Sequence, residues 1–151
     1  MKLAESLQER ADLNRRIDQL RIRIQNNVLV QEGEKPAEDP DKLIKELDEC
    51  LKRLEYLMYR INLTNCQYTV DGETLTELIA RKDVLKLKQS AYRDTIYAAS
   101  QSAHRARNTE IKILPVIKVD ALQKKADALA KEIRLLDNKI QQANWTADLM
   151  E

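Results

Sequence analysis

His104 is the only histidine in the 151 residues, so any catalytic triad or proton shuttle built on imidazole has one place to sit. It lies in SAHRARN, flanked by polar residues near the end of an expected helix, where a cation is favoured by the helix dipole. A solvated or capping role follows. Carboxylates are abundant, and helical bundles can hold di-metal centres through Glu-x-x-His pairs, but the sequence has no such pair. Its acids fall mostly off the apolar stripes and read as a solvated face with i, i+4 partners, as where Glu46 and Glu49 stand near Cys50 and Arg53. There is no phosphate loop, Rossmann glycine pattern, G-x-S-x-G, C-x-x-C or H-E-x-x-H, and two glycines are too few for most phosphate cradles. The expectation is a non-enzymatic chain with no metal and no cofactor.

One stretch concentrates polar residues able to bind something. In RINLTNCQYTVDGETLTELIARKD, Arg60, Asn62, Thr64 and Asn65 leave one helix while Glu77, Arg81 and Asp83 enter the next. If the two sets converge, they form a corner suited to a ligand or a subunit contact. The structural alternative is that these side chains satisfy backbone groups at two helix ends, which need partners when buried.

Charge is also unevenly placed. Arg81 to Arg107 carries seven basic residues against Asp83 and Asp94, and Gln31 to Asp41 carries five acids against Lys35. Such segments are expected to pair, within the chain or between subunits. Binding of nucleic acid through residues 81–107 is the weaker reading, because the whole chain balances 26 basic against 25 acidic residues.

The elements that must position these residues are helices. Leu3, Leu7, Leu13, Ile17, Leu20 and Ile24 make one stripe of a helix from about Lys2 to Gln31, expected to close near Gly33. A second begins with Asp39 as cap and Pro40 at the first helical position, and Leu43, Leu47, Cys50, Leu54, Leu57 and Ile61 alternate in steps of four and three. Leu51 and Met58 widen that seam, so this helix should touch more than one neighbour. A third begins at Thr74, where TLTE is a capping box, and runs to about Asn108 on a weaker stripe with polar Lys82 and Gln89 in register. Its small residues toward the far end predict a thin contact there.

The fourth helix begins near Val119 or Asp120, with Asp120 and Gln123 as a second capping box, and Val119, Leu122, Ala126, Leu129, Ile133, Leu136, Ile140 and Ala143 fill nearly four heptads. Between the helices, CQYTV and EIKILPVI alternate enough to pair as a short ribbon, limited by Pro115. The fold class is all-α: four long helices as antiparallel coiled-coil hairpins or an elongated up-down bundle, with a short β-ribbon in the connections, in one domain spanning 1–151.

Composition agrees. There is no Phe and one Trp, and charged residues make up 34 %. Leu, Ile and Ala suit the narrow seam between paired helices, whereas rings fill thick cores. The extra apolar positions favour a homo-oligomer whose dry seams include Leu129 and Leu136. No signal peptide or run of about 18 apolar residues is seen, and Cys50 inside the second expected helix and Cys66 just beyond its end lie roughly 20 Å apart, too far to bridge. A cytoplasmic location follows.

Across nearly the whole chain, KLAESLQERADLNRRIDQLRIRIQNN, VQEGEKPAEDP, RINLTN, DGETLTELIARKD and DALQKKADALAKEIRLLDNKIQQANW resemble the septicolysin-like family of small bacterial helical proteins. The resemblance implies no catalytic residue. It adds a lytic or pore-forming alternative, the one reading under which a membrane would be a partner, to the main expectation of a self-assembling interaction protein with no small-molecule substrate.

Overall fold

The computed structural model describes residues 1–101 and 111–151, and they are all-α with one short ribbon. Helix α1 spans Leu3–Asn27, α2 Pro40–Gln67, α3 Leu75–Ser100 and α4 Val119–Thr146; strands β1, Thr69–Val70, and β2, Glu73–Thr74, pair between α2 and α3. The expected extension of the third helix to Asn108, with His104, Arg105 and Arg107, lies outside the described residues. The chain forms two compact units, Met1–Thr69 with Ala143–Glu151, and Val70–Gln142.

In the first unit α1 and α2 form an antiparallel hairpin. Leu20, Leu43 and Cys50 are buried, with Leu13, Ile17, Ile24 and Leu47 packed around them. Three ion pairs cross the hairpin: Arg53 with Glu9 at 2.7 Å, Arg16 with Glu46 at 2.6 Å, and Arg23 with Glu38. Glu9, Arg16 and Arg23 recur every seven residues on α1, the spacing at which one helix flank returns to its neighbour. Glu46 and Arg53 therefore bind across the hairpin, not along α2 as the i, i+4 spacing suggested.

Helix α1 stops at Asn27, short of the expected Gln31. The Asn27 side chain is buried, donates to the Arg23 carbonyl at 2.8 Å and accepts from the Glu38 N–H at 2.9 Å, tying the loop back to the helix. Asparagine competes in this way with continued helix, and Val28 and Val30 are poor helix formers. Gly33, at φ 85°, serves the loop turn in which the Glu34 N–H donates to the Gln31 carbonyl at 2.9 Å, and does not close α1. Asp39 caps α2 as expected, accepting from the Asp41 N–H at 3.0 Å. Cys50 is buried, Cys66 is exposed, and neither is joined in a disulfide.

The chain ends complete this unit. Leu3 N–H donates to the Ala147 carbonyl at 3.0 Å and Leu149 N–H to the Met1 carbonyl at 2.9 Å, while Lys2 pairs with Asp148 at 2.8 Å. Leu3, Leu57, Ile61 and Ala147 are all buried.

Among the described residues the ribbon forms within the 69–74 stretch, not between CQYTV and EIKILPVI. Asp71 at φ 53° and Gly72 at φ 85° make the two-residue turn with positive φ at both centres, the geometry that matches strand twist and that Asp-Gly favours. Residues adjacent in sequence close this hairpin with little loop entropy, whereas Pro115 removes a ladder donor from the other segment.

In the second unit α3 and α4 run antiparallel, since Lys82 near the start of α3 binds Asp137 toward the end of α4 at 2.9 Å. Polar Lys82 in the apolar register is thus a buried-side ion-pair donor, its side chain only 18 % exposed. The thin contact expected at the far end of the third helix, with Ala103 and Ala106, lies outside the described residues; before it, Gln89, Arg93, Ile96 and Tyr97 face Gln123, Ala126, Asp127 and Ala130 across an open groove of about 460 Å³. Asp120 lies inside the first turn of α4 and the Gln123 side chain donates to Asp127 at 3.0 Å, so the second capping box does not form. Leu129 and Leu136 are buried within the single chain.

Candidate interaction surface

The last turns of α2, in the first unit, carry Arg60, Asn62, Thr64 and Asn65. Thr64 is fully buried: its hydroxyl donates to the Arg60 carbonyl at 2.8 Å and accepts from the Met150 N–H at 3.0 Å. One helical threonine thereby holds both its own turn and the C-terminal segment. The Tyr68 N–H donates to the Thr64 carbonyl at 2.8 Å, closing the helix, and the Tyr68 hydroxyl lies 3.2 Å from that of Thr146. Asn62 is exposed and Asn65 half-buried.

Arg60 differs from these. Its guanidinium carbon stands 5.2 Å from the ring centre of Tyr56 and 5.3 Å from that of Tyr59, while its buried Nε has no hydrogen-bond partner among the described residues. Stacking on rings supplies attraction to the cation but no acceptor for the N–H. An unmet buried donor of this kind costs free energy.

The second set sits in the second unit at the start of α3. Thr74 and Glu77 form the expected capping box: Glu77 N–H donates to Thr74 Oγ1 at 3.2 Å and Thr74 N–H to Glu77 Oε2 at 2.7 Å. The backbone bond from Thr74 holds the Glu77 carboxyl below its ordinary range, with the Thr74 hydroxyl adding to it. Arg81 pairs with Glu73, whose carboxyl is lowered by that guanidinium. Asp83 is exposed and makes no ion pair among the described residues. Thr64, Glu77 and Arg81 therefore serve the helix ends and the ribbon. Among the described residues of the corner, Arg60 keeps a buried donor without an acceptor.

One flank of α2 that the polar corner reading did not include carries Ile44, Leu51 and Met58, which recur every seven residues and are 42, 44 and 49 % exposed. Tyr59 is exposed on the outward side of the same helix, and exposed Tyr56 lies with Arg60 on the other flank, about 160° around the axis from Met58. Leu51 and Met58 are visible in the sequence as a widened seam; the tyrosines carry no signal until Arg53 and Arg60 are seen stacked on Tyr56. On α3, Val84 and Leu87 are exposed, with Ala80 and Ala91 one turn to either side. No group of His, Cys, Asp and Glu among the described residues is arranged to hold a metal ion.

Residues 10–149 match a family of unknown function, DUF6847. The chain belongs to this family. A crystal structure of a functionally unknown conserved protein from Corynebacterium diphtheriae is similar in fold, with a TM-score of 0.91 and 36 % identity over 99 % of each chain. No curated protein matches. The match to DUF6847 overturns the septicolysin-like resemblance: the strings that suggested it are the text of a different family. The support it lent to a lytic activity falls with it. No described helix is long and apolar enough to cross a membrane.

Proposed function

We propose that this DUF6847 chain is a non-enzymatic interaction protein that self-assembles into a homo-oligomer, with the outward face of α2 as its principal contact. The observation that carries this reading is the combination of Ile44, Leu51 and Met58 at heptad spacing with Tyr56, Tyr59 and the unsatisfied Arg60 on one helix. Tyr, Met and Arg are the residue types enriched at the centres of protein interfaces, and a heptad stripe is the pattern by which one helix packs on another. A formal net charge of +1 supports it further, because copies approach with little mutual repulsion. A cytoplasmic setting belongs to the same reading, in keeping with two cysteines that form no disulfide.

The nucleic-acid reading has less support. Of the basic groups in residues 81–107, Arg81 is engaged by Glu73, Lys82 by Asp137, and Lys88 stands 5.6 Å from the Tyr92 ring centre.

The test is the solution mass by light scattering after size exclusion, for the native chain and for Leu51→Asp with Met58→Asp. The expected result is an oligomer that the double variant reduces to a monomer of unchanged helical circular dichroism, since a charge in a dry seam is costly. Leu129 and Leu136 are unsuitable targets, being part of the single chain's own core. A monomeric native chain at all concentrations overturns the proposal.

A further inference from the structure

Each unit carries, among the described residues, an exposed aliphatic stretch next to a helix end, and the charges beside the two stretches differ. In the first unit Val28, Leu29 and Val30 follow α1, with Leu29 86 % exposed. The acids beyond them are only partly used: Glu38 is held by Arg23 and Asp39 caps α2. Glu32 and Glu34 are exposed, and neither side chain is paired among the described residues.

In the second unit the segment before α4 presents Ile113, Leu114, Val116 and Ile117, with Leu114 71 % and Val116 100 % exposed. Lys112 and Lys118 flank it, and Lys124 and Lys125 follow on the first turns of α4 against the single Asp120. The amino terminus of α4 adds partial positive charge to the same place, which favours an approaching carboxylate. Contiguous aliphatic side chains in water mark interaction sites more often than scattered ones do.

We propose that these two stretches dock on one another between copies: the Val28–Val30 segment and the acids Glu32 and Glu34 of one chain against the Leu114–Ile117 segment and Lys112 and Lys118 of a second copy. The partner is assigned from charge and apolarity together. Acids predominate beside the first aliphatic segment, Glu32 and Glu34 against Lys35, and lysines predominate beside the second, so the chain itself supplies a surface of the opposite sign for each. Both stay exposed in the single chain, so the complement is free to be met by another copy. The aliphatic groups supply the burial, and the opposite charges select the pairing of unlike stretches over like ones.

This inference rests on the self-assembly proposed above, and the experiment separates the two. Two differently tagged chains are prepared on a Cys66→Ser background, one with Leu29→Cys and the other with Val116→Cys, mixed, and mildly oxidised. The expected product is a disulfide joining the two tags, at a yield well above that with Leu87→Cys in place of Val116→Cys. In parallel, Glu32→Lys with Glu34→Lys should lower the fraction assembled by about tenfold in apparent affinity, and mixing with Lys112→Glu, Lys118→Glu chains should restore it. An oligomeric sample without the mixed disulfide overturns the docking and leaves self-assembly standing. A native chain that is monomeric by light scattering overturns both.

Discussion

The guanidinium of Arg53 binds both carboxylate oxygens of Glu9, at 2.7 and 2.9 Å, and this fork joins the two arms of the first hairpin. Because Arg16 and Glu46 repeat the pairing one heptad along, a slip of either helix would break both contacts together. The pairs therefore set register more than they add stability. Reversing one partner, Glu9→Arg or Arg53→Glu, is expected to cost about 0.5–1 kcal/mol, small because both side chains are partly exposed. The double exchange should recover most of it. Urea unfolding of the four proteins of this cycle checks the point, with a coupling near zero as the contrary result.

Acid should weaken the hairpin through the same contact. The hydrogen bond from Arg53 holds the Glu9 carboxyl below its ordinary value, and the bond from Lys82 does the same for Asp137 in the second unit. With the folded-state pKa depressed, the unfolded chain binds more protons in the window between the two values, so stability there rises with pH. The contribution is complete above about pH 4.3 for Glu and 3.9 for Asp, and is lost as pH falls through the folded values. Glu9→Gln should be less stable than the native chain at neutral pH and show a shallower loss of stability below that point. Equilibrium unfolding at several pH values reads both slopes.

Thr64→Val keeps the shape of a fully buried side chain and removes its hydroxyl. The Met150 N–H then loses its acceptor, at an expected cost of about 1–2 kcal/mol. The loss should concentrate at the chain's carboxyl end. Hydrogen exchange is expected to show faster opening of Ala147–Met150 in the variant, whereas a uniform change along the first unit would contradict the role given to Thr64.

Gly72→Ala tests the ribbon turn. A Cβ there meets nothing within 4 Å, so crowding is not the issue; the backbone at φ 85° is. The expected cost is about 1–2 kcal/mol, with Gly72→Asn milder because Asn tolerates the left-handed region. Thermal unfolding of the two variants gives the order directly.

Thr74→Ala removes the acceptor of the Glu77 N–H and should cost about 1 kcal/mol. It should also raise the Glu77 pKa toward the ordinary carboxylate value, because the Thr74 hydroxyl contributes to its depression. Carbonyl-carbon NMR titration of Glu77 measures this.

What the sequence determined by itself was local. Asp39 before Pro40, Thr74 three residues ahead of Glu77, and the heptads of α2 and α4 report helix starts and faces because caps act within one turn and periodicity is a property of a single helix. Asp71-Gly72 is a local turn signal by residue type, whereas the alternation of CQYTV and EIKILPVI points to a longer-range pairing that the described residues do not make. The widened seam at Leu51 and Met58 predicts a second neighbour for α2, and in the single chain both residues are exposed.

Tertiary structure decided what depends on contacts remote in sequence. The Glu9–Arg53 and Arg16–Glu46 pairs need the hairpin's register, whereas on α2 alone the i, i+4 spacing offers Arg53 only Glu49 as a partner. Asn27 ends α1 only because Glu38 is brought back to it, and Lys82 is acceptable in an apolar stripe only because Asp137 meets it. Thr64 and Arg60 are indistinguishable members of one polar corner in the sequence. The return of Met150 satisfied the first, while two tyrosine faces left the second stacked and short of one acceptor. Periodicity gives a side chain its direction from the helix axis, but whether a partner stands in that direction is a property of the packed chain.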